Sequence, residues 1–330
     1  MTQSPSLTPE FYALLPAIFG SGVLSWFITR EFLKFGPRLG LQDMPNERSS
    51  HTTPTLRGGG IGFVVSLLIF ILGMTLSQNL PWKFGGGLFF GLALVAVVGW
   101  LDDRQGVKAM YRLSVHFLAA LLVTFSLPHL YYGVAILFIA WMVNLYNFMD
   151  GTDGIAAVQG ITVAVFSALH SYVSLDLTLF AIYVTIALCI FGFLIFNWSP
   201  AKVFMGDVGS GVLGFLFAAV AVYAHEQNAV HLIFSLILMS VFLVDTAYTL
   251  TIRFLRRLKI TQAHRTHAYQ KAVQKGITHR KLAIAVGVFN CALGALTFAL
   301  RFEQISLIVA MSLALGSLLC WQIYNKAGFQ

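Results

Sequence analysis

Tyr131-Tyr-Gly-Val-Ala-Ile-Leu-Phe-Ile-Ala-Trp-Met-Val143 carries no charge and runs directly into Asn144-Leu-Tyr-Asn147-Phe-Met-Asp150-Gly-Thr-Asp153-Gly154. The apolar run has the composition of a lipid-embedded helix, and the eleven residues after it hold two amides and two carboxylates. The nearest lysine or arginine on either side are Arg112 and Lys202, so neither carboxylate has a local basic partner. Bare acids and amides beside a membrane helix are costly, and they persist where they hold an ion or touch a substrate. Gly151 and Gly154 let the backbone turn and approach something closely. The stretch reads as half of a magnesium–phosphate site whose other half lies elsewhere in the chain.

The composition agrees with a membrane setting. Of 330 residues, 58% are hydrophobic and 10% charged, and the mean hydropathy is +0.79. A soluble domain carries about 25% charged residues, so a soluble enzyme is excluded. A spanning helix needs about 20 mostly apolar residues. Apolar segments fall at 11–33, 59–78, 85–101, 113–127, 130–147, 155–173, 177–196, 209–224, 229–252, 282–300 and 304–323. They predict an all-α, polytopic membrane protein of eleven transmembrane helices, or ten if one segment is re-entrant, folded as a single domain over 1–330. Gly87 and Gly91 form a GxxxG pair that reads as close helix packing. Cys189, Cys291 and Cys320 all lie in apolar runs, so no disulfide framework is expected. The first ten residues lack a basic n-region and no cleavage site stands out, so the first apolar segment is expected to be a retained span.

Orientation follows from the basic residues. With the N-terminus outside, in the periplasm, alternation places 19 of the 21 lysines and arginines on the inner side and leaves Lys83 and Arg301 outside. The same alternation gathers Asp102, Asp103, Asp150, Asp153 and Asp207 at inner helix ends, although none of them was used to choose it. The site is therefore expected on the cytoplasmic face, in the loops at about 34–58, 102–112, 147–154, 197–208 and 253–281.

Each remaining cluster has a plain reading beside a chemical one. Asp102 and Asp103 are adjacent and repel unless a cation compensates; Arg104, Lys108 and Arg112 are near enough to pair with them, or the acids do metal or acid–base work. Phe204-Met-Gly-Asp207-Val-Gly-Ser-Gly211 opens a span, so Asp207 is either an N-cap or, with Asn147, a hard-oxygen ligand of Mg2+. Arg57-Gly-Gly-Gly60 is a flexible loop or a backbone laid against a phosphate. The polar segment 253–281 holds nine basic residues and no acid, which suits anionic lipids; within it, His264-Arg265-Thr-His267 suits a bound phosphate better than zinc. Asp245, inside the ninth apolar segment, either bonds a neighbouring helix or lines a substrate groove.

Taken in order, these blocks resemble the polyprenyl-phosphate N-acetylhexosamine-1-phosphate transferases, of the glycosyltransferase family 4 type. That family includes the enzyme starting enterobacterial common antigen and many O-antigens, and the phospho-N-acetylmuramoyl-pentapeptide translocase. The resemblance runs from about Pro45 to Gln270. The family's Asp-Asp motif falls on Asp102 and Asp103, its Asn-x-x-Asn-x-x-Asp-Gly motif on Asn144, Asn147 and Asp150, with Asp153 matching an acid of the O-antigen branch. Its Phe-Met-Gly-Asp motif falls on Phe204 to Asp207, its histidine loop on His264, Arg265 and His267, and its Pro-Asn-Glu-Arg…His…Arg-Gly-Gly-Gly block on Arg48, His51 and Arg57. The chain has His-x-x-His where the translocase has three consecutive histidines, and Lys108 and Arg112 are uncertain stand-ins for the translocase lysine. The histidine difference favours the O-antigen-initiating branch.

The resemblance implies transfer of N-acetylhexosamine-1-phosphate, from UDP-N-acetylglucosamine or a 6-deoxy relative, to undecaprenyl phosphate with release of UMP. This would be the first membrane step of a surface polysaccharide such as lipopolysaccharide O-antigen, in the bacterial inner membrane. Mg2+, with Mn2+ as the alternative, would sit on Asn147 and Asp207. Asp102 would act on the lipid phosphate with Asp103 in support, and Asp150 and Asp153 would face the nucleotide or the metal's surroundings. Arg48, His51, Arg57, Arg112, Asn144, His264, Arg265 and His267 would bind substrate. Membrane lipids are expected as neighbours, a homodimer stays open, and no nucleic acid is expected. Two rivals remain: an ion-coupled transporter, which needs polar groups near the bilayer midplane, and a CDP-lipid phosphatidyltransferase, which needs further acids where 155–168 has none.

Overall fold

A computed structural model describes residues 9–43, 54–125, 127, 132–227, 229–258 and 264–326. They form α1 (Pro9–Phe35), α2 (Ile61–Leu76), α3 (Trp82–Gln105), α4 (Ala109–Thr124), α5 (Tyr132–Met149), α6 (Ile155–Val173) and α7 (Leu177–Asn197). Then follow α8 (Asp207–Gln227), α9 (Ala229–Leu238), α10 (Ser240–Leu255), α11 (Ala268–Gln274), α12 (His279–Arg301) and α13 (Leu307–Lys326). The one sheet among the described residues pairs β1 (Gln42–Asp43) with β2 (Thr55–Leu56) in antiparallel register.

Each apolar segment read from the sequence becomes a helix, and the ninth becomes two. Seven helices, α1, α3, α5, α6, α7, α8 and α12, are long and apolar enough to cross a bilayer, and the bent pair α9–α10 makes an eighth. The other three, α2, α4 and α13, are apolar but shorter, so length alone supports fewer spans than the eleven expected. The chain is an all-α, polytopic membrane protein.

The single span expected over 229–252 is broken, its halves meeting at 66°. A bilayer offers no water to the carbonyls that such a break exposes. Gln159 Nε2 donates to Leu238 O at 3.1 Å, and Asn290 Nδ2 donates to Gln159 Oε1 at 2.7 Å. Ser240 Oγ donates to Ile237 O at 2.6 Å. Polar side chains of α6 and α12 thus satisfy the backbone at the bend.

The core centres on α8, whose residues from Val208 to Ala221 are all buried. A helix that is apolar on every face belongs in the interior. It packs between α3 and α5. Gly87 and Gly91 lie against the Leu122 and Ala119 carbonyls of α4, the close packing read from their spacing. Gly99, near the end of α3, touches the start of α8: a Cβ there would stand 2.6 Å from the Asp207 backbone. This crossing sets Asp102 and Asp103, in the last turn of α3, beside Asp207, in the first turn of α8.

Gly99→Ala should therefore push α3 from α8 and cost about 1–3 kcal/mol of stability. Gly86→Ala, on the same helix with open space around it, should leave stability unchanged. Thermal unfolding of the two variants in detergent compares them directly.

Candidate active site

Backbone pairing brings the second loop to the acids. Leu56 forms a parallel bridge with Val203, and Phe204 N–H donates to Leu56 O at 2.7 Å. Gly59 and Gly60 N–H donate to the Phe204 and Met205 carbonyls, both at 2.9 Å. The glycines of Arg57-Gly-Gly-Gly60 thus lie against protein backbone, where the sequence reading had allowed a phosphate. A Cβ on Gly60 would stand 2.8 Å from Met205 O. Gly206 adopts φ 75° against Gly58 and Asp103, a space and conformation suited to glycine.

Arg57 is delivered by this lacing. Its Nε meets Asp103 Oδ1 at 2.6 Å and its Nη2 donates to Asp207 Oδ1. Asp103 is wholly buried and also accepts from Asp207 N–H at 2.8 Å and Val208 N–H at 3.1 Å. It is the N-cap of α8 supplied from another helix. Arg112 Nη1 joins Asp207 Oδ2 at 2.8 Å to Asp102 Oδ2, while Asp102 Oδ1 accepts from Val107 N–H at 2.6 Å. Burial acts against the Arg57 charge, but Asp207 and Asp103 more than restore it and raise its pKa.

The other two acids differ from these and from each other. Asp153 is buried and faces His279 Nδ1 at 3.3 Å, with Ala201 N–H donating to its Oδ2 at 3.2 Å. Burial would raise its carboxyl, yet His279, Ala201 and Ser199 together hold it below the usual range. Asp150 is half-buried, and among the described residues its carboxylate accepts no hydrogen bond. Burial first, and then the charge of Asp207, push Asp150 well above the usual carboxylate range.

A polar cavity of about 380 Å³ opens on this cluster, walled in part by Asn147, Asp150, Asp153, Phe204, Asp207 and Arg265. On the far side of Asp207 a small cleft of about 20 Å³ adjoins Arg112, His116, Asn144 and Asn147, with Val95, Val98 and Phe148 on its wall. Neither space is lined by Asp102 or Asp103. Of the histidine loop, His264 Nδ1 lies 2.9 Å from Thr266 Oγ1 and its ring stacks on His267. His267 is buried, with Nδ1 3.2 Å from Asp245 Oδ1. Arg48 and His51 lie outside the described residues.

The family 4 model of glycosyl transferases matches residues 86–225. Residues 86–225 are a glycosyl transferase family 4 domain. Three similar proteins cover most of the chain. A Bacillus subtilis protein named "Probable undecaprenyl-phosphate N-acetylglucosaminyl 1-phosphate transferase" is 24% identical over 76% of this chain and 74% of its own. A phospho-N-acetylmuramoyl-pentapeptide-transferase of Streptococcus agalactiae is 28% identical over 63% and 73%. A decaprenyl-phosphate N-acetylglucosaminephosphotransferase of Mycobacterium tuberculosis is 28% identical over 81% and 77%.

The family 4 domain supplies all five acids and Arg112, while Arg57 and the histidine loop come from outside it. Among the described residues, no three His, Cys, Asp or Glu side chains form a metal site by themselves. Mg2+ usually takes one or two carboxylates and completes its shell with water and substrate phosphate. The hard oxygens of Asn147, Asp150, Asp207 and Ser210 on one cavity wall fit that chemistry. Sequence reasoning missed Asn197, whose side chain accepts from Gly154 N–H at 3.0 Å and donates to Val203 O at 2.9 Å. It also passed over His279.

Asp150 and Asp153 should respond oppositely to neutralisation. Asp153→Asn should lose about 2 kcal/mol at neutral pH. The Asp153 contribution is present above its unfolded pKa and disappears as pH falls through its lower folded value. Asp150→Asn should raise the unfolding temperature of substrate-free protein, and the gap to wild type should open as pH climbs above the unfolded pKa and level off above the raised folded one. Unfolding curves from about pH 2 to about pH 9 check both signs.

Proposed function

We propose that this chain transfers N-acetylhexosamine-1-phosphate from a UDP-sugar to undecaprenyl phosphate, releasing UMP. The observation that carries the reading is Asp207, bridged by Arg57 and Arg112 between a polar cavity and a smaller, partly apolar cleft. The nucleotide sugar would occupy the cavity beside Arg265, and the lipid phosphate would reach the cleft beside Arg112 and Asn144. Relatives named for hexosamine phosphate transfer to undecaprenyl or decaprenyl phosphate support the same reaction. Both of those names specify N-acetylglucosamine, which supports UDP-N-acetylglucosamine as donor.

In this scheme an oxygen of the lipid phosphate attacks the phosphorus that carries the sugar. The bond from that phosphorus to the UMP oxygen breaks, and UMP leaves with the electron pair. Such phosphoryl transfer is chiefly positioning and charge stabilisation. Arg112, fixed by Asp102, orients the lipid phosphate, and Arg57, fixed by Asp103, holds Asp207. Asp150 lines the cavity and, among the described residues, its carboxylate accepts no hydrogen bond, which leaves it placed to take the proton of the attacking lipid phosphate. This moves the base from Asp102, which lines neither space and holds Arg112. Asn147 and Asp207 would hold Mg2+, which supplies charge neutralisation at the pyrophosphate.

The excess of basic residues on one side favours a cytoplasmic site in the bacterial inner membrane. There the product would begin a surface polysaccharide of the O-antigen type. Purified protein given undecaprenyl phosphate, Mg2+ and UDP-N-acetylglucosamine should release UMP only when both lipid and metal are present. Release of UDP would mean glycosyl transfer, and no release from folded protein with any UDP-N-acetylhexosamine would end the reading. Asp207→Asn should remove turnover, by about 100-fold or more, without unfolding the protein.

A further inference from the structure

Asp245 is a buried carboxylate in α10, and four donors converge on it. His267 Nδ1 lies 3.2 Å from Oδ1, Ala268 N–H donates to Oδ1 at 3.0 Å and Tyr269 N–H to Oδ2 at 3.2 Å. Thr249 Oγ1, one turn on, donates at 3.1 Å. A buried acid is tolerated in an apolar helix only when so satisfied. The three donors from the start of α11 fix that helix to α10. Gln270 Oε1 accepts from His267 N–H at 3.3 Å, closing the cap.

α11 in turn presents Tyr269 to the turn that follows α5. The last carbonyls of a helix lack partners within it. Tyr269 donates its hydroxyl to one of them, Phe148 O, at 2.9 Å. Its ring closes over Gly151 so tightly that a Cβ there would overlap the hydroxyl and stand 3.1 Å from Cζ. The Phe148 ring stacks on His267 from the other side. Contacts therefore run unbroken from Asp245 through α11 to the segment carrying Asn147 and Asp150.

We propose that Asp245 and Tyr269 form a strut that sets the position of Asn147 and Asp150, making both positioning residues for the reaction. The kinetic part of this inference rests on the phosphosugar-transfer reading; the mechanical part does not. Small displacements of catalytic groups cost rate more than binding. Tyr269→Phe, which keeps the ring, should lower kcat about tenfold and leave the KM for the UDP-sugar within about threefold. Asp245→Asn should act in the same direction and more strongly.

Hydrogen exchange in detergent, without substrate, separates the strut from the chemistry. In both variants, amides at 147–155 should exchange about tenfold faster than in wild type, along with those at 267–274. Faster exchange confined to 267–274, with kcat unchanged, would overturn the proposal. A double-mutant comparison needs no Asp245 variant, should that one fail to fold. Gly151→Ala should be impaired by overlap with the Tyr269 hydroxyl, and adding Tyr269→Phe should recover part of that loss. Losses that simply multiply would argue against the strut. Wild-type protein that releases no UMP would end the transferase reading alone, and the exchange comparison would still decide the strut.

Discussion

The N–H groups that open α8 have no partners within that helix, and the site is arranged around the way Asp103 satisfies two of them. The cap comes from α3, so it exists only while α3 and α8 remain in contact at Gly99. Asp103 spends its oxygens on the cap and on Arg57, and it lines neither the cavity nor the cleft. Its neighbour Asp102, one residue earlier, is turned to the opposite task of holding Arg112. Two adjacent acids that would repel in isolation are separated by giving each its own guanidinium.

The remaining electrostatics follow from that division. Asp102, Asp103 and Asp207 exceed Arg57 and Arg112 by one negative charge. Among the described residues no donor reaches the Asp150 carboxyl, which burial and the charge of Asp207 push toward its protonated form. A cavity wall with surplus negative charge favours a cation, and a cation beside two arginines favours phosphate oxygens. The cavity is thus unfavourable when empty and suited to a ligand that brings both. Asp153, held below the usual carboxylate range, adds to that surplus, and through His279 and Ala201 it ties the 150–154 turn to the loop before α8 and the start of α12.

Much of this was legible before any coordinates. The apolar runs located the helices, and alternation of spans gathered the acids at one end of the bundle, where the structure brings them together. What escaped was whatever depends on partners far away in the chain. The 229–252 segment has neither proline nor glycine, so its break, satisfied by Gln159 and Asn290 from other helices, left no mark in its own residues. The glycines after Arg57 read either as a flexible loop or as backbone against a phosphate, because glycine reports closeness without naming what is close; the neighbour is Val203 to Gly209. His279 and Asn197 stood alone in sequence, and only the fold shows that each ties a turn. Asp245 was placed between two roles, and its partners lie in the loop read as phosphate-binding.

The reach of Arg57 into the family 4 domain bears on modularity. The matched stretch, 86–225, contains five acids of the cluster but one of its two arginines. The partners of the rest, Arg57, His279 and the Tyr269 hydroxyl, arrive from chain segments on either side of it. A boundary drawn by similarity therefore cuts through a charge-balanced unit. A chimera exchanging only that stretch between two relatives would inherit acids tuned to one set of flanking loops and meet another. Divergence between such proteins should accordingly run in matched pairs across the boundary, inner acid with outer base.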